Sequence, residues 1–469
     1  MLKVSRNRSS KKSSNDSCRR SVITTNMPII NDHAAGIDLA GASSHFVAVE
    51  RNGVVECREF GGTTDEVLAI VDYLKDNGVT SVAMESTGVY WKIVSSLTEK
   101  AGIKVYLVNP THVKNIPGRR KDDRSDACWL QKLHKFGLLS ASFQPQFDDR
   151  VAHDLNRQRT RLIRMSSDEI RRIQKALDVM NIRVHKVISD ITSVTGMNII
   201  RAIVAGERDV DVLAGFRNSG CKCSLEELKA ALKGYYTSQN VRELEQALER
   251  YDLCEKQITE IDKDIEEVMR SLIPLDDELI AAETAKAPKQ NKLRRHEPNF
   301  AFLSYLNLLI GKDPTIIPGI GVQTALALFC ELGRDFSKWE TAKHFTSYLT
   351  LAPVTKMSGG KILSSSTRPG SHPSAKTLRQ AAASIIQTDC ALASHYNVLA
   401  IRVGKGKALT AIARKIAIQY YNFMKYGELY TSMSNEQYEL IHQQKQIARV
   451  KRLAQKYGLM VVETIPATE

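Results

Sequence analysis

Four acidic residues have the types and positions to build a metal site: Asp38, Glu85, Asp123 and Asp126. Asp38 closes the apolar run AAGIDLA, and Glu85 closes VTSVAMES. Asp123 and Asp126 lie in KDDRSDACWLQKLHKFG, which reads as a helix. Their spacing of three puts both carboxylates on one helical face. Two carboxylates at strand ends and two on a helix could converge on a divalent cation. Mg²⁺ (or Mn²⁺) asks for hard oxygen ligands and accepts carboxylates together with phosphate oxygens. A pair of such ions could hold a phosphodiester for displacement. Taken singly, each acid also reads as a turn residue, a cap or a solvated first turn of a helix. The elements around them decide between these readings.

Residues 34–144 read as α/β. HAAGIDLA is a strand, and SHFVAVE with VVECREFG forms a hairpin around Asn52–Gly53. TTDEVLAIVDYLKDNG is a Thr-capped helix closing with Gly78. VTSVAMES is a buried strand, VYWKIVSSLTEKAG a helix and KVYLVNP a strand, and the helix with Asp123 and Asp126 follows. Three early strands, a helix, then alternating strands and helices is the RNase H order. It places Asp38 on the first strand and Glu85 near the end of the fourth. The final helix then delivers its two acids to the same end of the sheet.

Residues 145–300 read as helical. A long polar helix over 145–195 carries Arg150, Arg157, Arg159, Arg161, Arg164, Arg171 and Arg172, as a solvated helix or coiled-coil arm would. A small helical insert covers 196–236. Leu244, Leu248, Tyr251, Cys254, Ile258, Ile261, Ile265, Val268 and Leu272 then recur at spacings of three and four, a coiled-coil seam. Its partner is the 145–195 helix or another chain. Residues 279–300 read as a basic linker.

Residues 301–430 read as a mainly helical domain. Pro318-Gly319-Ile320-Gly321 between apolar segments resembles a helix–hairpin–helix, whose free backbone N–H groups suit a DNA phosphate. A plain interhelical turn has the same residues. VTKMSGGKILSSSTRPGSHPSAKTLRQ is rich in Gly, Ser and basic residues and returns to a helix. GKGKALTAIARKIAIQYYNFMKYG is the last core helix, and 431–469 is a basic tail. Residues 1–33 form a basic, Ser-rich arm without the apolar centre of a signal peptide.

The formal net charge of +14 favours a polyanionic partner. No apolar run approaches the roughly 20 residues of a membrane-spanning helix, so no membrane partner is expected. Of eight cysteines only Cys221 and Cys223 are close, and no second pair completes a zinc site. Reduced thiols in a cytoplasmic protein follow.

GIDLA, MESTGVYW, LVNPTHVKN and the K-x-DR-x-DA form of residues 121–127 recur together with IPGIG, FTSYLTLAP and the S-G after VTKM. In these motifs and their order the chain resembles the DEDD insertion-sequence transposases, bridge-RNA-guided serine recombinases with a RuvC-like N-terminal domain. The segment from Met180 to Asp209 looks like that of long-insert members. The resemblance implies that Asp38, Glu85, Asp123 and Asp126 are the catalytic, metal-binding acids. It also implies that Ser358 is the nucleophile, forming a serine–DNA phosphodiester. It further implies donor and target DNA, a structured guide RNA, a homo-oligomer between dimer and tetramer, and a prokaryotic, nucleoid-associated location.

A serine hydroxyl needs activation, by a metal or by nearby cations that stabilise the transition state. Lys356, Lys361, Arg368, Lys376 and Arg379 are near Ser358 in sequence, unranked, and with Gly319 and Gly321 are the candidate nucleic-acid contacts. Ser358 also reads as a turn residue before Gly359-Gly360, and Ser364, Ser365 and Ser366 are rival hydroxyls. Ser371-His372 stand where relatives carry a Gly-Asn pair before Leu378-Arg379. Two other classes remain: a metal-dependent, structure-specific nuclease resembling a junction resolvase, and a non-enzymatic coiled-coil nucleic-acid binder.

Overall fold

The computed structural model describes residues 28–86, 88–108, 122–139, 141, 149–285, 294–370, 372–427 and 435–460. Most of the basic arm, the NPTHVKN segment, part of the basic linker, Ser371 and the end of the tail lie outside them. The chain divides into two units, Met1–Gln144 and Pro145–Glu469.

The first unit is built on β1 (Ala34–Leu39), β2 (Ser44–Arg51), β3 (Val54–Gly61), β4 (Ser81–Glu85) and β5 (Lys104–Val108). They form one sheet in the order β3-β2-β1-β4-β5. β1–β2 and β2–β3 are antiparallel, whereas β1–β4 and β4–β5 are parallel. This mixed α/β arrangement is consistent with an RNase H-like fold. Asn52 and Gly53, both at positive φ, make the two-residue turn between β2 and β3. α1 (Thr64–Asp76), capped by the Thr63 side chain, and α2 (Trp91–Lys100) cover one face. Ile37, Val47, Ile70, Leu74, Met84 and Leu107 form the core there. α3 (Asp123–Lys135) covers the opposite face through Ala127, Leu130 and Leu133.

The second unit is mostly helical. α4 (Asp149–Val179) packs along α8 (Ser238–Ser271), with α5 (Val194–Val204), α6 (Val210–Gly215) and α7 (Leu225–Leu232) closing a core at one end. The pairs Arg159–Asp262, Ser166–Glu255 and Glu169–Arg250 run in opposite senses along the chain, so α4 and α8 are antiparallel. The seam on α8 is therefore covered within the chain, and it drifts from Val268 to the buried Met269. Arg159 is fully buried and makes two hydrogen bonds to Asp262, a third going to the His296 carbonyl. That corrects the solvated reading of this helix at Arg159, because a buried guanidinium needs a carboxylate partner.

Beyond these lie α9 (Phe302–Ile310), α10 (Val322–Leu332), α11 (Ala342–Tyr348), α12 (Pro373–Ser384), α13 (Ala391–Val403), α14 (Lys405–Tyr426) and α15 (Asn435–Lys456). Phe336, Trp339, Phe345 and Tyr421 interlock at the centre of this part. β6 (Pro353–Ser358) and β7 (Lys361–Thr367) form a separate two-stranded hairpin where the sequence indicated only a Gly/Ser-rich stretch. Among the described residues, no helix is long and apolar enough to cross a membrane.

Candidate active site

Strand alternation sets the acids. Ile37 pairs with Met84 in parallel register, and both side chains point into the α1/α2 core. The next residues, Asp38 and Glu85, therefore turn to the other face, side by side at the C-terminal ends of adjacent strands. α3 lies on that face. Its first turn holds Asp123 and Asp126. Asp122 caps it, accepting from the Ser125 amide at 2.9 Å and from the Ser125 hydroxyl at 2.7 Å.

α3 is fastened across the sheet. The Gln131 side-chain amide donates to the Ala34 carbonyl of β1, and Lys135 pairs with Glu50 of β2 at 2.6 Å. His134 Nε2 lies 2.9 Å from Ser81 Oγ of β4, and Arg124 reaches Glu59 of β3 at 3.0 Å. Burial and the neighbouring Lys104 lower the His134 pKa to about 4, so its ring is neutral in this contact. Gly36 lets the helix approach. A Cβ there would lie 2.3 Å from the Ala127 carbonyl oxygen and 2.3 Å from the Gln131 amide nitrogen. Asp122 and Gly36 were not singled out in the sequence, although an isolated glycine inside a strand signals such an approach.

The four acids act on one another. Burial, then the charges of Asp123, Asp126 and Glu85, raise the Asp38 pKa from its usual 3.8 to about 6. A set of oxygen donors under mutual repulsion fits a hard divalent cation. Among the described residues, however, no three His, Cys, Asp or Glu side chains are drawn together tightly enough to hold an ion as they stand. The cluster is open, and the fit rests on the donor set and its shared charge.

Ser358 is the last residue of β6, in the second unit. Gly359 and Gly360 form the turn with both φ values positive, as a type I′ hairpin requires. Ser358 stands opposite Lys361, Met357 opposite Ile362, and Lys356 opposite Ser364. The register shifts between Lys356 and Met357, leaving Leu363 as the extra residue of a bulge. Carried through without it, the lower register would put Ile362 opposite Ser358. With the bulge, Ser358, Lys356, Lys361 and Ser364 share one face. Ser365 pairs with Thr355 on the other face, and Ser366 lies further down, opposite Val354. Arg368 and Lys376 are exposed beyond the hairpin, and Arg379 is half-buried on α12.

Beyond the hairpin the chain is anchored at the start of α12. His372 caps α12, its Nδ1 accepting from the Ser374 amide, and its Nε2 meets the Tyr348 hydroxyl at 2.8 Å. An Asn in this region could cap a helix in the same way, which gives His372 a structural account. Gly319 has positive φ, and a Cβ there would lie 2.5 Å from the Ala381 carbonyl oxygen of α12. Its immediate role is packing. A single 3₁₀ turn, Pro314–Ile316, precedes it in place of a full helix. Gly321 is exposed at the N-cap of α10.

With this geometry in view, comparison with known proteins defines the class. Residues 35–182 match the DEDD IS110 family model described as "Transposase", and residues 315–397 match "Transposase IS116/IS110/IS902 family". In both segments the chain is similar to the IS110 family of DEDD transposases. A relative from Streptomyces coelicolor, "Insertion element IS110 uncharacterized 43.6 kDa protein", is 31% identical over 145 residues. The alignment covers 29% of this chain and 35% of that relative, so the chain spans about a third of the length of the curated protein it matches.

Proposed function

We propose that this protein is the transposase of an insertion sequence, a site-specific recombinase that cuts and rejoins DNA through a serine–DNA phosphodiester. The observation that carries the reading is the placement of four acids at one end of the sheet, with α3 fastened over them, in a chain similar to this family. Asp38, Glu85, Asp123 and Asp126 would hold Mg²⁺ or Mn²⁺. Such an ion supplies charge neutralisation at a phosphate and a lower pKa for a bound hydroxyl.

Ser358 Oγ attacks the phosphorus of a backbone phosphodiester. One sugar oxygen leaves and takes up a proton, and the phosphate remains on Ser358. A sugar hydroxyl of the exchanged strand then attacks that phosphoserine, restoring the DNA and the serine. The number of phosphodiester bonds is unchanged, so no nucleotide triphosphate is needed. Lys361, opposite Ser358, and Lys356, on the same face, are the cations best placed to stabilise the charged transition state. Arg368, Lys376 and Arg379 serve the DNA or RNA backbone.

A suicide duplex nicked near the exchange point should yield a protease-sensitive adduct, with mass spectrometry placing the DNA on the Ser358 peptide. Ser358→Ala and Asp126→Asn should each abolish it. An adduct on Ser364, Ser365 or Ser366 keeps the mechanism and moves the residue. The second reading, a metal-dependent junction nuclease, is favoured by one observation: all four acids fall in one unit, and Ser358 in the other. Metal-dependent cleavage by Ser358→Ala would establish it.

Guidance by a structured RNA from the element, with donor and target DNA bound by a homo-oligomer in the cytoplasm and nucleoid, completes the reading. The net charge of +14 supports a polyanionic partner. The element's own non-coding transcript should bind far more tightly than unrelated RNA of equal length. Equal binding, with no effect of RNA on recombination, rejects guidance and leaves DNA binding intact.

A further inference from the structure

The hairpin has a second face that the serine chemistry does not use. A two-stranded ribbon normally packs one side on a core. Here β6 and β7 are exposed along nearly their whole length. Opposite each other on the face away from Ser358 stand Met357, 62% exposed, and Ile362, 65% exposed. The bulged Leu363, 70% exposed, adjoins them. Three large apolar side chains at the tip of an unsupported hairpin need an occupant to cover them.

Charge identifies that occupant. Between Glu340 and Asp389 the chain has no acidic residue, yet it carries Lys343, Lys356, Lys361, Arg368, Lys376 and Arg379. An apolar tip set in an exclusively basic segment is complementary to DNA, where phosphates surround stacked apolar bases. Met, Ile and Leu are side chains that separate base steps when pressed into a duplex. The width of a β-ribbon suits a groove.

We propose that Met357 and Ile362, flanked by Leu363, form a wedge that enters the base stack beside the phosphate presented to Ser358. The ribbon then works on both sides at once. The Ser358–Lys361 face meets the backbone, and the Met357–Ile362 face opens the neighbouring step and frees a strand end for exchange. This rests on Ser358 being the nucleophile, and the test separates the two claims.

Full-length protein, with the transcript of the element's non-coding end, is mixed with a duplex spanning the element's end and its flank. 2-Aminopurine replaces one base at a time. The wild-type protein should raise fluorescence at one step next to the exchange point. The double variant Met357→Ser, Ile362→Ser should lose that rise while keeping its salt-dependent affinity for the duplex. Ile362→Leu, which preserves the apolar volume, should retain the rise and shows that a change on β7 leaves the hairpin folded. Absence of any rise with the wild type, or an undiminished rise with the double variant, overturns the wedge. So does a loss of oligomer in sedimentation that accompanies the loss of fluorescence, because the face would then be a contact between copies. If Ser358→Ala forms no adduct but keeps the rise, both claims stand. If Ser358→Ala cleaves normally and the rise still depends on Met357 and Ile362, the nucleophile is wrong and the wedge survives.

Discussion

The two regions proposed to carry chemistry are built on opposite principles. The acids stand on a helix and two strands locked by Gln131, His134, Lys135 and the close approach at Gly36. Ser358 stands at the tip of a hairpin with neither face packed on a core. Charge that must be arranged in advance belongs on rigid elements, because every ångström of slack weakens its effect. A nucleophile that becomes joined to one DNA end and must release it to another is better placed on an arm that reaches outward. The contrast teaches that substitutions in the two regions should fail in different ways: stability and activity together around the acids, activity alone at the hairpin.

The largest effect that tests this contrast is the loss of exchange in Ser358→Ala and Asp126→Asn. Both should stop recombination, and EDTA should stop the wild type. Full recombination in EDTA would remove the metal from the acidic region and leave the contrast without its first half.

Next in size is Gly36→Ala. The new Cβ meets backbone atoms of α3 at 2.3 Å, and neither the carbonyl of Ala127 nor the amide of Gln131 can rotate away. The helix must move outward, carrying Asp123 and Asp126 with it. Overpacking of this kind costs about 2 to 3 kcal/mol, to be read as a lower denaturation midpoint of the first unit. Recombination should fall well beyond what lost stability explains. A variant with normal stability and normal activity would show that the approach at Gly36 does not position the acids.

The same contrast explains what could be read from the sequence. β1, β2 and β4 announce themselves by apolar runs, because they are buried on a core, and the mostly exposed β3 by the turn dipeptide Asn52–Gly53 before it. Asp38 and Glu85 follow from where those runs end, and α3 from its helical period. The β6–β7 hairpin gives no such signal. It buries neither face, so no alternation is imposed on KMSGGKILSSST, and its serines and lysines read as a loop. Arg159 was hidden for another reason. Its partner Asp262 lies 103 residues away, and nothing local in an arginine-rich helix says which guanidinium turns inward. Gly36 was readable in principle, as the one residue without a side chain in a strand of apolar neighbours.

A smaller effect concerns pH. The Asp38 pKa is about 6 in the folded protein against the usual 3.8, so the folded state binds the proton more tightly. Without metal, the penalty of the charged carboxylate is fully present above pH 6. Stability should therefore rise as pH falls through 6 and stop responding to this group below its unfolded value. Asp38 is partly solvated, so the gain is about 1 kcal/mol, less than the shift alone implies. Asp38→Asn should remove this component, seen as the difference between the two proteins' thermal midpoints across pH 4 to about 7 in EDTA. Mn²⁺ or Mg²⁺ should stabilise the wild type near neutral pH and have less effect on Asp38→Asn. Identical pH profiles would mean that the four acids do not share their charge.

The smallest expected effect is the most discriminating for the hairpin. Ser358 is exposed, it ends a strand, and its neighbours at the turn are glycines with open space around them. Removing its hydroxyl creates no cavity and strands no buried partner. Ser358→Ala should therefore shift stability by no more than roughly 0.5 kcal/mol and leave RNA binding unchanged, while exchange is lost completely. Such a pairing, no change in folding with total loss of chemistry, is what an outward-reaching nucleophile predicts. A destabilisation of several kcal/mol would say instead that the hairpin is braced by contacts through Ser358 and that loss of activity follows from loss of structure. Ser358→Cys separates the remaining cases, since a thiolate is nucleophilic but longer and softer than an alkoxide. Residual adduct on Cys with native stability assigns the chemistry to this position, and its absence from every variant with a thermal midpoint equal to the wild type narrows the role of residue 358 to the oxygen itself.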